Sequence, residues 1–439
     1  MSRVSIVSLG CPKNLVDSEN LLSGLRDEGF LYTTKPDDAD IVLVNTCGFI
    51  EEAKRESIEE ILRLKHMKEE GKKLLVFGCL AKRYRDDLIK EIPEIDAIWG
   101  VGEEDGIIEY CKRVMKRRHG DAETQRNIDS PIHPFTDSPI RPSGSYAYLK
   151  IAEGCSRGCA FCVIPSIRGT YRSIEPDKVL RKAEKHIESG VRELILVAQD
   201  ISSYGMEFHG YNLSSLLRDL SSISGEFWIR LLYLYPASID DELLTVIAGE
   251  DKICKYLDIP LQHSEDKILK AMGRSGTKKW HVRLIRRIRE AIPDITIRTT
   301  LIAGFPGETE EDFAGLKGFV EDMRFDRLGV FMYSKEDGTL ASRMKGNIAR
   351  KVKEKRRDEI MRIQSYISLE KNRSIIGRIF KAIVDEVDGK IAIARLYSQA
   401  PEIDGVVFVS NNSVLKAGEF TDVLITEAYD YDLKGELVG

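Results

Sequence analysis

The residues best equipped for chemistry in this chain are cysteines. Of the eight among 439 residues, three stand in the run GCSRGCAFC, where Cys155, Cys159 and Cys162 have the spacing C-x3-C-x2-C. Three thiolates on one short loop can each bind one iron of a 4Fe–4S cluster, and with no fourth cysteine nearby one iron keeps an open coordination position. A structural zinc site is the competing reading. Such a site normally closes with four ligands and shows paired CxxC knuckles, which this sequence lacks. A ferredoxin loop would show C-x2-C-x2-C and a fourth Cys-Pro, also missing here.

A second set is marked by position. Cys11, Cys47 and Cys79 each follow directly on a strand-like run, after SLG, VNT and VFG respectively. In an open parallel sheet the loops after the strands share one edge, so these thiols can meet there and form a second open 4Fe–4S site. Three buried structural cysteines are the alternative, because free Cys packs well as a small hydrophobe. Cys111, in the helical stretch EYCKRVMKRR, and Cys254, just before a strand, fall outside both sets and read as packing residues.

The elements that must position these thiols follow from hydrophobic rhythm. VSIVSL at 4–9, IVLVNT at 41–46, LLVFG at 74–78 and AIWGV at 97–101 alternate with helix-like segments such as 50–70, the pattern of βαβ units around a parallel sheet. Prolines 131, 134, 139 and 142 then mark a linker. Beyond it six strand-like runs recur, at 147–152, 193–199, 228–234, 256–262, 296–305 and 327–334, separated by helices such as 176–189 and 278–291. Six β/α repeats suit a partly open (β/α)6 barrel whose chemistry lies at the C-terminal ends of its strands. A charged helix over 350–373 leads into short alternating runs with turns at Asp388-Gly389, Asp404-Gly405 and Ala417-Gly418, which predict a small antiparallel β-barrel. The expected organisation is therefore α/β, with an N-terminal domain at 1–118, a Pro-rich linker at 119–143, the barrel at 144–372 and the terminal module at 373–439.

Composition limits the rest. Lys plus Arg number 66 against 71 Asp plus Glu, a net charge of −5 that excludes a globally basic nucleic-acid coat protein. With 42% hydrophobic and 31% charged residues the chain is globular. Its longest apolar stretch, 74–81, is too short to cross a bilayer, and MSRVSIVSLGCPKN has no secretory apolar core, so a cytoplasmic location without a membrane partner is expected. In that reducing compartment the cysteines are free for metal rather than paired in disulfides.

The C-x3-C-x2-C loop, the aromatic Phe161 before its third cysteine and the barrel repeats resemble the radical S-adenosylmethionine (radical SAM) superfamily. The resemblance implies that the open iron chelates SAM and that an electron splits the sulfonium to give a 5'-deoxyadenosyl radical, chemistry suited to an unactivated C–H bond. Two three-cysteine sites in this order, with the terminal module, resemble the methylthiotransferases over essentially the whole chain. That family implies two 4Fe–4S clusters, the auxiliary one on Cys11, Cys47 and Cys79, SAM as both radical source and methyl donor, a TRAM (OB-like) terminal module, and an electron donor such as flavodoxin or ferredoxin. Polar residues at barrel strand ends match its motifs AQD, QH and GFPGET. The resemblance thus implies SAM contacts among Phe161, Gln199, Asp200, Gln262, His263, Arg298, Thr300 and Gly304, with no catalytic residue beyond the cluster ligands. His263 also reads as a satisfied wall residue, and Pro306-Gly307 as a simple turn.

The family divides by substrate, between adenosines of tRNA and an aspartate of small-subunit ribosomal protein S-twelve. Residues 374–439 hold six basic and eleven acidic groups, a charge of −5, while the rest of the chain is balanced. A module gripping RNA phosphates should be basic. An acidic one suits a basic protein and repels bare RNA, although a merely solvated surface is the plain alternative. LGCPKNLVDSE, GCSRGCAFCVIPSIRG, VAQDISSYG and APEIDGVVFV resemble the ribosomal-protein branch, whereas the tRNA branch tends to show GQNV where Ala198 to Ile201 stand. The expected reaction is methylthiolation of the aspartate β-carbon, with tRNA adenosine 2-methylthiolation as the enzymatic alternative and an iron–sulfur electron carrier or sensor as the non-radical one. Basic runs at 112–119, 283–289 and 350–357 read as solvated helix faces, with contact to ribosomal RNA near the substrate as the alternative.

Overall fold

A computed structural model describes residues 2–68, 70–119, 144–410 and 415–438. The linker expected over 119–143 lies outside the described residues except for His119, which ends a helix. The chain forms two compact units, one holding the N-terminal residues together with Val163–Gly169, the other holding residues up to Cys162 after the linker and everything from Thr170 onward.

In the first unit the strands β1 (Arg3–Ser8), β2 (Leu31–Tyr32), β3 (Ile41–Thr46), β4 (Lys73–Gly78) and β5 (Ala97–Trp99) form a parallel sheet in the order β2-β1-β3-β4-β5. The helices are α1 (Pro12–Asp27), α2 (Glu51–Leu64), α3 (Cys79–Arg83), α4 (Arg85–Glu91) and α5 (Glu104–His119), joined by α6 (Ile164–Arg168) from later in the sequence. The strands read as unbroken apolar runs because both sheet faces are covered. Val42, Val44, Leu74 and Val76 pack with Ile61, Leu64 and Leu88, while Ile41, Leu43, Leu75 and Phe77 pack with Leu21, Leu25 and Ile107. Truncating a fully buried Leu75 to Ala would cost about 2–5 kcal/mol. Cys111 belongs to this second cluster, as packing predicts.

The second unit begins with β6 (Tyr146–Lys150) and the short pair β7 (Ala152–Glu153) and β8 (Arg172–Ser173). Then α7 (Pro176–Glu188), β9 (Glu193–Val197), α8 (Leu213–Ser222), β10 (Trp228–Leu231), α9 (Asp241–Gly249) and β11 (Ile253–Asp258) follow. After α10 (Asp266–Ala271) and α11 (Lys278–Ala291) come β12 (Thr296–Ala303), α12 (Glu310–Met323), β13 (Arg327–Met332) and α13 (Arg350–Arg373). Six parallel strands lie in the order β13-β12-β11-β10-β9-β6, an open sheet in sequence order. The strand expected at 256–262 is shifted toward its N-terminus, because Pro260 has no N–H to give a ladder. Alternate residues divide the sheet. Leu194, Leu196, Ile229, Leu231, Ile297 and Leu301 enter the main apolar core with the helices. The intervening positions include Tyr148, Glu193, Arg230, Tyr256 and Arg298, a polar face.

The chain ends in a closed barrel of β14 (Ile379–Asp388), β15 (Ile391–Leu396), β16 (Val407–Ser410), β17 (Phe420–Ala428) and β18 (Leu433–Leu437), ordered β14-β15-β16-β18-β17. It is not wholly antiparallel. The β16–β18 pair is parallel, since a closed ring of five strands cannot alternate direction throughout. The loop after β15 reaches the polar face of the six-stranded sheet. Glu402 accepts from the Tyr146 and Tyr148 hydroxyls at 2.9 and 3.2 Å, and Asp404 accepts from Tyr256 at 2.7 Å and stands 3.7 Å from Arg298. Glu402 does this from a left-handed backbone (φ 67°), which costs a non-glycine residue roughly 1–3 kcal/mol. Among the described residues no helix is long and apolar enough to cross a membrane.

Candidate active site

In the first unit Cys11, Cys47 and Cys79 follow the adjacent strands β1, β3 and β4, as their spacing predicts. Gly10 packs so tightly on Cys47 that an added Cβ would lie 2.6 Å from the cysteine Cβ and 2.9 Å from its Sγ. The organising side chain is Asn14, in the first turn of α1 and fully buried. Its amide donates to Leu9 O and Thr46 O at 3.0 and 3.1 Å, and its Oδ1 accepts from Arg168 at 2.6 Å and faces the Cys79 thiol at 3.6 Å. One side chain thereby uses its full hydrogen-bonding capacity to tie together the loops carrying all three cysteines. Arg168, whose side chain is 1% exposed, pairs with Asp17 at 3.0 Å. Burial, reinforced by Cys11, pushes the Cys47 thiol up to about 11, and burial pushes Cys79 up to about 12 despite the opposing Arg168 charge. The thiols are therefore neutral near pH 7 and must release protons to bind metal.

In the second unit Cys155, Cys159 and Cys162 are partly exposed on the loop after β7. The backbone N–H of Arg157 donates to Cys155 Sγ at 3.4 Å. The Arg157 side chain anchors the loop, donating to Asp200 at 2.8 Å, Ser203 at 3.0 Å and Ser238 at 2.8 Å. Burial, with Cys159 and Asp200 nearby, raises the Cys155 thiol, partly offset by the Arg157 N–H. Among the described residues no three His, Cys, Asp or Glu side chains converge on a single metal ion. A cluster asks for something else, since each thiolate binds a different iron and the sulfurs stand apart.

The expected SAM contacts divide by environment. Asp200 turns its carboxylate to Arg157, Ser202 and Ser203, which makes it an anchor of the cysteine loop. Gln199 donates to Glu153 at 3.1 Å, and Glu153 also holds Lys150 at 2.6 Å. Gln262 has a left-handed backbone (φ 74°), as does Tyr233 (φ 66°) after β10, strain of the kind stored at functional sites. Arg298 donates to Asp258 at 3.1 Å and lies beside Thr300. His263 is fully buried; its Nδ1 accepts from the Glu265 N–H, and its Nε2 lies 3.5 Å from Glu308, the geometry of a wall residue. Gly304 gives its N–H to Glu308, which is held in turn by Arg356 at 2.7 Å. Phe161 packs with Ala160, Met272 and Phe305.

Residues 3–100 match the family described as Uncharacterized protein family UPF0004, 149–320 the Radical SAM superfamily and 376–438 the TRAM domain. The chain is 54% identical over 438 residues to the ribosomal protein uS12 methylthiotransferase RimO of Thermodesulfovibrio yellowstonii, covering 100% of both. It is 47% identical to the RimO of Lachnoclostridium phytofermentans, covering 99% of both. The chain belongs to the RimO family of methylthiotransferases. Membership of the radical SAM superfamily brings SAM and a 4Fe–4S cluster with it. Among solved structures the radical SAM methyltransferase TsrM of Kitasatospora setae shares the fold, with a TM-score of 0.55 at 15% identity over 89% of this chain and 79% of that one.

The cysteines of this RimO-family chain suit such clusters in number and surroundings, three per site with N–H or guanidinium groups directed at sulfur. Sequence reasoning missed Asn14, Arg157 and Arg168, and also Arg274, whose guanidinium lies 3.6 Å from Cys159 Sγ, and Tyr235, over whose ring that guanidinium sits. Asn14 and Arg157 carried a signal, being within three residues of candidate ligand cysteines. Arg168, Tyr235 and Arg274 carried none, because their partners are remote in sequence.

Proposed function

We propose that this chain adds a methylthio group to the β-carbon of an aspartate in ribosomal protein uS12. The observation that carries the reading is the presence of two three-cysteine sites, one after the adjacent parallel strands β1, β3 and β4 and one on the loop that follows β6 and β7, in a chain of the RimO family. When bound, a cluster on Cys155, Cys159 and Cys162 with SAM supplies a radical able to take hydrogen from an unactivated carbon, and a second cluster on Cys11, Cys47 and Cys79 supplies sulfur. The chain's own residues do the rest. Arg157 and Asp200 fix the cysteine loop, Asn14 fixes the other three thiols, and Gln199 and Gln262, just past β9 and β11, with Arg298 and Thr300 inside β12, offer polar groups to SAM. A second SAM serves as methyl donor, and an electron carrier of the flavodoxin or ferredoxin class is the reductant, in the cytoplasm.

The terminal barrel supports a protein substrate. Asp385, Glu402 and Asp404 face the six-stranded sheet, which leaves eight of the eleven acids for the outer surface, where Glu386, Asp388, Asp430 and Glu436 are exposed. That surface favours a basic partner over RNA. Mass spectrometry of uS12 from cells lacking the enzyme tests the reading. Loss of about 46 Da, the difference between SCH3 and H, is expected. An unchanged mass, with a methylthioadenosine lost from tRNA instead, would assign the chain to nucleic acid.

A further inference from the structure

The cysteine loop of the second unit is clamped by the segment that follows α10. Ala160 donates its N–H to Met272 O at 2.8 Å. Gly273 has φ +67° and approaches so closely that a Cβ would stand 2.6 Å from Gly158 O. The next residue, Arg274, directs Nη1 at the sulfur of Cys159, 3.6 Å away, and Nη2 at Pro260 O. Its guanidinium also lies over the ring of Tyr235, 4.3 Å from the centroid, and that ring is shared with Arg157 at 3.9 Å. Ser275 donates to the Tyr235 hydroxyl at 3.0 Å, so the ring is fixed at its far end too.

The two arginines differ in charge balance. Arg157 is neutralised by Asp200 at 2.8 Å. Arg274 has no carboxylate partner among the described residues, so its positive charge is spent on a backbone carbonyl, an aromatic face and the thiol of Cys159. The half-buried guanidinium has a carbonyl and a ring for neighbours and, among the described residues, no anion to balance it. A cluster thiolate at Cys159 supplies that anion.

We propose that Arg274 is a positioning residue that raises the reduction potential of the cluster on Cys155, Cys159 and Cys162, with Tyr235 holding the guanidinium in place. The step concerned is a one-electron reduction: the cluster gains one electron from the reductant, no bond to Arg274 forms or breaks, and the added negative charge is stabilised by the fixed cation. Hydrogen bonds to sulfur and local net charge are established determinants of such potentials. At an effective dielectric of about 20 and a separation of roughly 6 Å, a unit charge shifts the equilibrium at least about tenfold. The proposal rests on the reading of these three cysteines as cluster ligands.

The test is a reductive titration of the holoenzyme, following by electron paramagnetic resonance the component whose signal changes when SAM is added. Relative to wild type, Arg274→Gln should lower the reduced-to-oxidised ratio at a fixed potential about tenfold or more, equivalent to a midpoint about 59 mV lower for one electron. Arg274→Lys, which keeps the charge, should stay within about threefold. Tyr235→Leu, which keeps the arginine and frees it, should shift the midpoint in the same direction as Arg274→Gln. An unchanged midpoint in Arg274→Gln with full iron content overturns the role. If that variant takes up no iron, Tyr235→Leu decides, and an unchanged midpoint there overturns it. Wild-type chain whose iron content is unaffected by replacing Cys155, Cys159 and Cys162 would overturn the ligand reading itself, and the Arg274 proposal with it.

Discussion

Arg395→Met should detach the terminal barrel's ion network at its centre. Arg395 is 1% exposed and serves two carboxylates, Asp385 at 2.5 Å and Glu193 at 2.6 Å, the latter an ion contact without hydrogen-bond alignment. Glu193 is also held by Arg230 at 2.5 Å, and Ser145 donates to Asp385 at 2.5 Å, so neither carboxylate is left wholly bare in the variant. Removing one partner of a buried pair costs about 3–5 kcal/mol because a charge is stranded in low dielectric. The remaining Arg230 places the expectation at the lower end, about 3 kcal/mol, roughly a hundredfold in the folding equilibrium. Lys434→Met, which breaks an exposed pair with Glu427 in the same barrel, is the control and should unfold at nearly the wild-type urea concentration. Urea unfolding of the full chain measures both. The pH dependence has a definite sign. Burial pushes the Glu193 carboxyl up, but Arg230 and Arg395 outweigh it and hold it below its ordinary value. Its contribution is therefore present above the unfolded value of about 4.3 and lost as pH falls through the folded one, and the variant should lose less stability on acidification. A variant within 1 kcal/mol of wild type, or no different from Lys434→Met, would refute the reasoning.

Two further perturbations address the interior of each unit. Asn14→Asp keeps the shape but sets a carboxylate oxygen against Leu9 O and Thr46 O, so iron bound by Cys11, Cys47 and Cys79 should fall sharply while that at the other site remains; equal retention at both, by iron analysis in single-site backgrounds, counts against the assignment. His281 is 1% exposed, and burial followed by the Arg274 charge pushes it down to about 4. Its neutral form stabilises the fold above about pH 6.5, and that contribution should be lost toward pH 4 by up to about 1.4 kcal/mol per pH unit; the same acid dependence in His281→Asn, by urea unfolding, would contradict this.

What could be read from the sequence was local. The strand rhythm placed β3, β12 and β13 within a residue or two of their N-terminal ends, because apolar runs flanked by breakers are a one-dimensional signal. The three cysteines after β1, β3 and β4 were legible for the same reason, since a strand end is visible without knowing its neighbours. The ends after 197, 231 and 258 were not. There the chain keeps an apolar composition while leaving the ladder, and the residues that follow include the left-handed Tyr233 and Gln262, whose backbone is set by the tertiary packing around them. The side chains that complete each site were hidden more deeply. Arg168 meets Asn14 across 154 positions and Arg274 meets Cys159 across 115.

The net charge of −5 on the last 66 residues has two parts that composition cannot separate. Most of the acids lie outside, but three are directed at the radical SAM sheet: Asp385 pairs with Arg395 of the barrel itself and accepts from Ser145 just before β6, while Glu402 and Asp404 meet three tyrosines and Arg298 on the sheet. A purely apolar contact would bury a similar area at lower electrostatic cost and would accept small slips in register. Carboxylates with defined partners do not, because a slip of one residue leaves one of them unpaired. Asp404 reaches Arg298 at 3.7 Å, and Arg298 in turn contacts Asp258 and Thr300 on the strands whose ends carry the expected SAM contacts. The module whose outer surface is suited to a basic protein is thus keyed, through a strained Glu402 and its neighbours, to the sheet where the radical chemistry is placed. A terminal barrel with the same fold but without acids at 402 and 404 would lack that key, however well it bound the substrate.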